Sequence, residues 1–488
     1  MYFMRVIHIS AECYPAAKSG GLGDVAGALP KYLTSAGWES AVIIPKYGLP
    51  WTKKHRFKLL HAGAYVLNDQ YHPYTIEEPL QTGLDFSLYV VNLPGLFDRP
   101  GIYGDAEKGW YTDNTERFTS FQIAVLDWVK NMEVKPEILH CHDYHAGLVP
   151  FLIKHTKIFE VLKKIASIFT IHNAEYAGSF PWLKKNLLPE FSEEVNGLLD
   201  WSDQINPLAS AVKNAWAVTT VSPGYLLELQ QFSSGLEWLF RNEKRKCRGI
   251  LNGIDHDVWN PKTDTYLTSH LPDKEAYELK DIEDFKLHQK KQLVSQLGLN
   301  QNIPWITFIG RLVREKGADI LPNLINTVLE SGTGIGFIIL GSGEPYLHEL
   351  LRSMSYKFPG KLHVHIGYDE ALAHQLYAAS DFILMPSRVE PCGLNQLYSL
   401  RYGTIPIVRA VGGLKDSIVP WKEENGNGIL FETFSVDAAI KAIDEAFNLF
   451  NDRKKFEEVR KFIFGIDFSW QKSASEYVTL YNELTLKM

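Results

Sequence analysis

The sequence predicts an α/β protein made of two doubly wound domains, each built on a parallel β-sheet. Short apolar runs bounded by turn residues alternate with helical patterns, which is typical of parallel α/β architecture. The alternation occurs in both halves of the chain, and the turn-rich segment 251–261 predicts a hinge between them. Two such domains facing each other would place the carboxyl ends of both sheets along one deep cleft.

Apolar runs predict the strands in chain order. In the first half the predicted strands lie near Val6–Ile9, Ala41–Ile44, Ser87–Asn92, Ile138–His140, Ser167–Ile171 and Ala217–Val221. In the second half they lie near Trp305–Gly310, Gly336–Leu340, Leu362–Ile366, Asp381–Met385 and Ile405–Val408. Helical patterns fill the intervals, and a charged, turn-rich stretch is expected from the hinge to about Lys291.

The hinge and the last segment set the predicted domain boundaries. The first domain covers residues 1–255 and the second covers residues 256–465. Residues 466–488 contain a helical pattern whose apolar face includes Tyr477 and Tyr481. This face needs a partner surface, and we predict that the helix returns to the first domain.

Composition limits the classes of function. The 488 residues are 45% apolar and carry a net charge of −7, which provides no basic field for nucleic acid or an anionic membrane. No apolar run is long enough to cross a bilayer, and the first residues do not resemble a signal peptide. Four widely spaced cysteines fit reduced thiols. We therefore expect a cytoplasmic protein with a small ligand and without nucleic acid or membrane partners.

A glycine-rich stretch between the first predicted strand and helix gives the strongest site signal. Residues 18–24 read Lys-Ser-Gly-Gly-Leu-Gly-Asp. Glycines let the backbone approach a phosphate or sugar closely, and a helix N-terminus directs N–H groups toward an anion. Lys18 adds a full positive charge, so the stretch predicts an anion-binding loop.

Two other interpretations of this stretch stay open at this point. Gly21, Gly23 and Ala26 formally match the dinucleotide-binding fingerprint of dehydrogenases. However, a loop separates the glycines from the strand, and no acidic residue closes the second strand, where Pro45-Lys46 follows. Alternatively, the glycines only allow tight packing of a turn.

The second half supplies matching chemistry at two strand ends. The strand near Trp305–Gly310 leads directly into Arg311, and Lys316 follows five residues later. Another strand ends at Met385 and is followed by Glu390 and a helix start. In this loop the carboxylate is predicted to bind hydroxyl groups, and the backbone N–H groups are predicted to bind phosphate. The alternative interpretations are a solvated helix start for the cations and a simple capping role for the acid.

Histidines mark two further strand ends in the first half. Residues 140–145 read His-Cys-His-Asp-Tyr-His, and residues 170–173 read Thr-Ile-His-Asn. The first cluster suggests a metal site, but its spacing fits no standard zinc motif, and the mixture suits sugar hydroxyls equally well. A buried structural histidine is the default interpretation of His172 taken alone.

Six motifs together resemble the bacterial glycogen synthase and plant starch synthase family, and they occur in order along the whole chain. They are Lys-Ser-Gly-Gly-Leu-Gly-Asp at 18–24, His-Asp-Tyr-His-Ala-Gly at 142–147, Ile-His-Asn at 171–173, Asn-Gly-Ile-Asp at 252–255, Gly-Arg-Leu at 310–312 with Lys316-Gly317, and Glu-Pro-Cys-Gly-Leu-Asn-Gln at 390–396. Many related transferases carry a second glutamate eight positions after the first. Here that position is Tyr398, which matches this particular family.

The resemblance implies the GT-B fold and a retaining transfer of glucose from ADP-glucose to the non-reducing end of an α-1,4-glucan. It implies release of ADP without a metal ion or other cofactor. By position it implies a catalytic set consisting of Lys18, His172, Arg311, Lys316 and Glu390. It implies donor-binding residues Gly20, Gly21, Asn252, Tyr368, Gly393, Leu394 and Asn395, and acceptor-binding residues Tyr103, Asp143 and Asn173.

Charge development suggests how these residues would act. Breaking the bond from the anomeric carbon to phosphate leaves negative charge on the diphosphate, which Lys18, Arg311 and Lys316 would neutralise. No carboxylate nucleophile is evident for double displacement, so we expect same-face attack in which the departing phosphate takes the acceptor proton. Other GT-B transferases, using UDP-glucose or a different acceptor, remain the alternative. A catalytically silent glucan-binding protein is the alternative from another class.

Overall fold

The computed structural model describes residues 4–105, 109–274 and 276–486. Contacts within the chain divide it into two compact units. The first unit consists of Met1–Asn252 together with Trp470–Met488, and the second consists of Gly253–Ser469. Each unit has its own β-sheet and its own apolar core.

The first unit contains a nine-stranded sheet. In chain order its strands are β1 (Arg5–Ile9), β2 (Glu39–Pro45), β3 (Phe57–Leu67), β4 (Gln70–Pro79), β5 (Ser87–Asn92), β6 (Ile138–His142), β7 (Ala166–Ile171), β8 (Ala217–Thr220) and β9 (Cys247–Gly249). Across the sheet they follow the order β9-β8-β7-β6-β1-β2-β5-β4-β3. Every pairing from β9 to β5 is parallel, whereas β5–β4 and β4–β3 are antiparallel.

The doubly wound parallel fold class is confirmed, and the structure adds the antiparallel hairpin β3–β4, which the sequence did not predict. Most side chains of β3 are exposed or half-buried. The strand therefore lacks the continuous apolar run that marks strands buried on both faces, such as β2.

Helices pack on the parallel part of this sheet. The helices of the first unit are Gly21–Ser35, Pro50–Lys54, Asn114–Asn131, Val149–His155, Pro207–Asn214, Pro223–Leu229, Glu237–Asn242 and Trp470–Thr485. The last of these, the C-terminal helix, shares a buried cluster with Val6, Leu29 and Trp38. Its Ser473 hydroxyl donates to the Leu251 carbonyl at 2.6 Å, so the helix is anchored in the first unit.

The second unit contains a six-stranded sheet. Its strands are β10 (Trp305–Ile309), β11 (Gly336–Gly341), β12 (Leu362–Ile366), β13 (Phe382–Met385), β14 (Ile405–Arg409) and β15 (Ile429–Phe431). They follow the order β12-β11-β10-β13-β14-β15, and all of these pairings are parallel.

The helices of the second unit are Leu279–Leu297, Leu321–Glu330, Pro345–Lys357, Glu370–Ala379, Asn395–Arg401, Gly412–Ser417, Val436–Asn451 and Arg453–Phe464. The first of them corrects an expectation, because the stretch up to Lys291 was predicted to be turn-rich. A capping box between Glu278 and Asp281 starts this helix, and its buried face carries Ile282 and Phe285. Many charged residues on its outer face hid the helical pattern.

Within the described ranges, no helix combines the length and the apolar character that crossing a bilayer requires. In each unit the carboxyl ends of the central parallel strands carry the loops with the predicted site residues. β1, β6 and β7 carry them in the first unit, and β10, β12 and β13 carry them in the second. This is the edge at which doubly wound sheets bind their ligands.

Candidate active site

The loop after β1 places Lys18, Gly20 and Gly21 at the start of a helix. The helix begins at Gly21, and Gly20 is its N-cap. All three residues are exposed, and a Cβ on either glycine would meet nothing within 4 Å. Lys18 Nζ contacts Asp24 Oδ1 at 2.7 Å. The loop therefore has open space beside it and a positive charge held by a neighbouring carboxylate.

A buried carboxylate that the sequence analysis missed, Glu12, organises this loop. Its Oε2 accepts hydrogen bonds from the backbone N–H groups of Ser19 at 2.6 Å and Gly20 at 3.0 Å. A Cβ at Gly23 would stand 3.1 Å from the same oxygen, so glycine permits this close packing. Burial raises the pKa of Glu12. Because two loop amides bind this carboxylate, the amides left for an anion belong to the first helical turn.

Tyr103 is joined to the loop through the same carboxylate. Its hydroxyl donates to Glu12 Oε1 at 2.6 Å. Its ring stacks on His145 and Trp110, with centroids 4.9 and 5.9 Å away. Trp110 is 60% exposed, and its ring centroid lies 6.0 Å from that of Tyr176. A row of aromatic rings thus leads from the loop to the surface, and such faces suit sugar rings.

Asp143 follows β6 and connects it to the end of β7. Its backbone has a φ of 54°, and its Oδ1 accepts from the N–H groups of His172 at 2.7 Å and Asn173 at 3.4 Å. Burial raises the pKa of Asp143 to about 7. Its Oδ2 has no hydrogen-bond partner among the residues that the structure describes, so this oxygen can bind a ligand hydroxyl.

His172 and Asn173 follow β7. Burial lowers the pKa of His172 to about 3, so its ring is neutral at physiological pH. Its Nε2 lies 3.0 Å from Nδ1 of His142. The side-chain oxygen of Asn173 accepts from the N–H of Glu175 at 3.0 Å, which directs the amide nitrogen toward other partners. Both residues are placed to bind hydroxyl groups without adding charge.

Three buried histidines in this region lie close enough together to hold a metal ion. They are His8, His140 and His142, and their ligand atoms lie within 4.8 Å of one another. Both ring nitrogens of His140 already have partners, since they lie 2.6 Å from the Tyr481 hydroxyl and 2.5 Å from that of Thr170. Hydrogen bonds therefore account for the arrangement of these rings.

Asn252 lies at the end of the first unit. It is buried, and its Oδ1 has no hydrogen-bond partner within the described ranges. A buried amide oxygen without a partner is costly, so a ligand donor at this position would be stabilising. This geometry is compatible with the donor-binding role that the resemblance implies.

In the second unit, β10 leads into a short loop with both predicted cations. Arg311 is half-exposed and contacts Glu315, with Nη2 and Oε2 2.9 Å apart. Lys316 Nζ lies 2.7 Å from Glu390 Oε1. Gly317 follows with a φ of 70°, and a Cβ there would stand 2.1 Å from the Pro386 carbonyl oxygen. Glycine at 317 therefore lets this loop lie directly on the end of β13.

Glu390 is buried in the loop after β13, and its two oxygens bind different side chains. Oε1 contacts Lys316, and Oε2 accepts from the Ser387 hydroxyl at 2.9 Å. These contacts differ from the capping role considered as an alternative. Arg388 forms a bidentate ion pair with Asp319, with N–O distances of 2.5 and 2.8 Å. This pair fastens the Glu390 loop to the loop of the cations.

Gly393, Leu394 and Asn395 form the predicted phosphate-binding backbone, and a helix begins at Asn395. Gly393 is left-handed, with a φ of 72°. The Asn395 side chain donates to the Ile309 carbonyl at 2.7 Å, which ties the helix start to the end of β10. The same sheet edge therefore carries these amides and Arg311.

Tyr368 follows β12 and is 75% exposed. Asp369 beside it caps the next helix by accepting from the Leu372 N–H at 2.9 Å. An exposed aromatic ring at a strand end offers a flat face for a base or a sugar.

Sequence reasoning missed Glu12, Glu315 and Ser387, and it included His142 in the cluster at 140–145 without predicting its contacts. One signal was available, because Glu12 and Glu315 each lie close in sequence to a predicted cation or anion loop. The contacts of His142 with His8 and His172 span 134 and 30 residues, and no local pattern reveals such pairs.

Family models match both units. Residues 5–242 match the starch synthase catalytic domain, and residues 289–461 match glycosyl transferases group 1. The glycogen synthase of Flavobacterium johnsoniae is 43% identical over 480 residues, which cover 98% of this chain and 99% of that protein. The glycogen synthase of Clostridium botulinum strain Alaska E43 is 38% identical over 504 residues, which cover 99% of this chain and 100% of that protein.

Solved structures agree with this assignment. The catalytic domain of starch synthase IV from Arabidopsis thaliana, bound to ADP and acarbose, matches with a TM-score of 0.88 and 32% identity, over 99% of this chain and 100% of that one. A sucrose-phosphate synthase from Thermosynechococcus elongatus matches with a TM-score of 0.61 and 16% identity, which shows a shared fold alone. The chain thus belongs to the glycogen synthase and starch synthase family of GT-B glycosyltransferases.

Proposed function

We propose that the protein is a glycogen synthase that transfers glucose from ADP-glucose to the non-reducing end of an α-1,4-glucan, with retention of configuration. The observation that carries this proposal is the cluster of Lys316, Glu390 and Ser387, with Lys316 Nζ 2.7 Å from the Glu390 carboxylate. A charged amine can bind the phosphates of a sugar diphosphate, and a buried carboxylate can bind its sugar hydroxyls. Both groups lie at the carboxyl end of β13.

The second unit is proposed to bind the diphosphate of the donor. As the bond from the anomeric carbon to phosphate breaks, negative charge grows on the departing group. Arg311 and Lys316 neutralise that charge, and the backbone amides of 393–395 donate hydrogen bonds to it. Glu390 then accepts hydrogen bonds from glucose hydroxyls. Tyr368, exposed at the end of β12, offers its ring to the base.

The first unit is proposed to bind the transferred glucose and the acceptor. Lys18 and the backbone of Gly20 and Gly21 border the open space that we propose for the donor phosphate or its glucose, and Asn252 adds an amide. Neutral His172 donates to a glucose hydroxyl. A neutral ring is suited to this task, because it binds the hydroxyl without opposing positive charge on the sugar.

Tyr103, Asp143 and Asn173 are proposed to face the acceptor glucan. The support is the row of rings around Tyr103 and the Asp143 Oδ2 that no described residue engages. The relative from Arabidopsis thaliana was solved with ADP and acarbose, which supports an adenine nucleotide donor and a glucan acceptor for this chain.

Retention is proposed to occur by same-face attack, in which the departing phosphate accepts the proton of the acceptor hydroxyl. Both oxygens of Glu390 have protein partners, which fits a role in orientation. Trapping of a covalent glucosyl enzyme at Glu390 or Asp143 would contradict this mechanism.

Neither a metal ion nor another cofactor is proposed to take part, because lysine and arginine side chains supply the positive charge. Treatment with a chelator should leave the rate unchanged, and a loss that added metal restores would contradict this. The four cysteines are free, which fits work in the reducing cytoplasm.

A transfer assay with radiolabelled donors tests the proposal. ADP-glucose should label glycogen at a rate well above that of UDP-glucose, and Glu390→Ala should abolish transfer while the protein stays folded by circular dichroism. Glu330→Ala, which breaks an exposed ion pair with Lys357, is the matched control and should keep full activity. Preference for UDP-glucose, or activity of Glu390→Ala, would overturn it.

A further inference from the structure

Three histidine rings form a continuous hydrogen-bonded chain that ends at the candidate active site. His8 Nδ1 lies 3.0 Å from His142 Nε2, and His142 Nδ1 lies 3.0 Å from His172 Nε2. His8 and His142 have no exposed surface, whereas His172 is 9% exposed. The chain therefore starts in the core of the first unit and reaches the surface only at His172.

All three rings are neutral. Burial lowers the pKa of His8 and of His172 to about 3 and that of His142 well below its usual value. A neutral imidazole has one N–H and one acceptor nitrogen. Each of the two bonds in the chain therefore holds a single proton, and the direction of one bond sets the direction of the other.

The far end of the chain selects one of the two directions. Nε2 of His8 is buried and has no hydrogen-bond partner within the described part of the chain. If His172 donated into the chain, this nitrogen would carry a buried N–H without an acceptor. If the hydrogen bonds run in the opposite direction, Nε2 of His8 carries only a lone pair. Buried N–H groups without partners are rarer than unsatisfied acceptors, so the second direction is favoured.

We propose that His8 and His142 fix His172 as the tautomer with a proton on Nδ1, which makes His142 a positioning residue for the transferase. His8 Nδ1–H donates to His142 Nε2, and His142 Nδ1–H donates to His172 Nε2. No described residue occupies His172 Nδ1, so its N–H is available to donate to a sugar oxygen. This inference rests on the proposed role of His172 in binding glucose.

His140 packs beside the chain without belonging to it. Its ring stacks on His142 with centroids 4.3 Å apart and an interplanar angle of 22°. Its nitrogens bond to Thr170 and to Tyr481 of the C-terminal helix. His140 therefore offers a matched control, because it is an equally buried ring of the same stack but has no bond to His172.

Substitutions of His142 separate the two ends of its ring. His142→Asn places an amide near the Nδ1 position, where it can still donate to His172. His142→Gln places its amide near the Nε2 position, where it contacts His8 and leaves His172 without a donor. We expect His142→Asn to keep kcat within about threefold, and His142→Gln to lose at least about tenfold, because a histidine in the wrong tautomer cannot donate.

Nitrogen-15 NMR of histidine-labelled protein reads the tautomer directly and needs no substrate. The His172 signals, assigned by their loss in His172→Gln, should show a protonated Nδ1 in the wild type and in His140→Gln. In His142→Gln the Nδ1 tautomer should no longer dominate. An inactive protein with this spectrum would contradict the proposed function and still support the tautomer assignment.

Three outcomes of these NMR and kinetic experiments would overturn the inference. They are a protonated Nε2 on His172 in the wild type, an unchanged tautomer in His142→Gln, and equal loss of activity in His142→Asn and His142→Gln when both are folded. Elemental analysis covers the remaining alternative, because a stoichiometric metal ion bound to His8, His140 and His142 would also overturn it.

Discussion

The buried candidate residues of the first unit and the cations of the second unit lie in opposite electrostatic environments. In the first unit Glu12, Asp143 and His172 are 3%, 8% and 9% exposed, and burial shifts each pKa toward the uncharged form. In the second unit, Arg311 and Lys316 lie beside carboxylates, and the Arg311 side chain is 52% exposed. Neutral donors and acceptors suit hydroxyl groups, whereas charged groups suit phosphate.

Ion pairs in the second unit have a further consequence. Each cation already has a carboxylate partner, at 2.9 Å for Arg311 and 2.7 Å for Lys316. Lys18, the exposed cation of the first unit, follows the same pattern with Asp24 at 2.7 Å. A diphosphate bound to these cations, as we propose, would therefore have to share or replace these partners. The comparison predicts large effects from removing a cation. It predicts small effects from removing a carboxylate that only competes for the cation, as Glu315 does.

Removal of Lys316 should have the largest effect. Lys316→Ala deletes a charge that we propose stabilises the departing phosphate, and it leaves the buried Glu390 without its cation. We expect kcat/KM for ADP-glucose to fall by about a hundredfold or more. The matched control is Lys357→Ala, which breaks an exposed pair with Glu330. A loss of less than tenfold in Lys316→Ala would contradict the electrostatic contrast between the units.

Asp143→Asn tests the buried, uncharged state of the first unit. Because burial raises the pKa of Asp143 to about 7, the folded state binds a proton that the unfolded state releases near pH 4. As the pH rises from 4 to 7, this buried carboxyl therefore progressively lowers the free energy of unfolding, and the reduction is complete above pH 7. Asparagine cannot ionise and still accepts from the His172 N–H.

We thus expect Asp143→Asn to raise the free energy of unfolding at pH 8 by about 2 kcal/mol, or several degrees in Tm, and to change little near pH 4. Thermal unfolding at both pH values measures this difference. Greater stabilisation at pH 4 than at pH 8 would show that folding lowers the pKa of Asp143 and does not raise it.

Some of this contrast follows from the sequence and some does not. Strands such as β2 and β13 were predicted because burial on both faces produces an uninterrupted apolar run. Arg311 and Glu390 were predicted because they directly follow such strands. The β3–β4 hairpin and the helix starting at Leu279 were missed, because exposed polar side chains interrupt their apolar patterns.

Contacts within the site were harder to predict than its residues. Glu12 was missed because its role depends on Tyr103, which lies 91 residues away in the sequence. The ion pair of Lys316 with Glu390 spans 74 residues. A sequence shows which strand ends carry chemistry, and only the folded chain shows which of those groups already satisfy one another.

Glu12 gives a third, intermediate test within the first unit. Glu12→Ala removes the acceptor of two loop amides and of the Tyr103 hydroxyl, and we expect about a tenfold loss of kcat/KM from the disordered loop. Glu12→Gln keeps an oxygen for the amides and an amide group for Tyr103, so it should stay within about threefold. Steady-state kinetics on both variants measure this. Equal losses would mean that the charge of Glu12, and not its hydrogen bonds, matters.

Glu315→Gln should have the smallest effect, and it tests an ion pair of the second unit. The change weakens the competing pair with Arg311, which is worth less than about 1 kcal/mol at this exposure. The substitution keeps the backbone carbonyl of Glu315, which accepts a hydrogen bond from the Arg388 N–H at 2.8 Å. We expect the KM for ADP-glucose to fall about twofold at low salt with kcat unchanged, and the difference to vanish at high salt because exposed charges are screened. Glu330→Gln serves as the control. A higher KM in Glu315→Gln would show that Glu315 holds Arg311 in its binding position, since a competitor for the cation can only weaken donor binding.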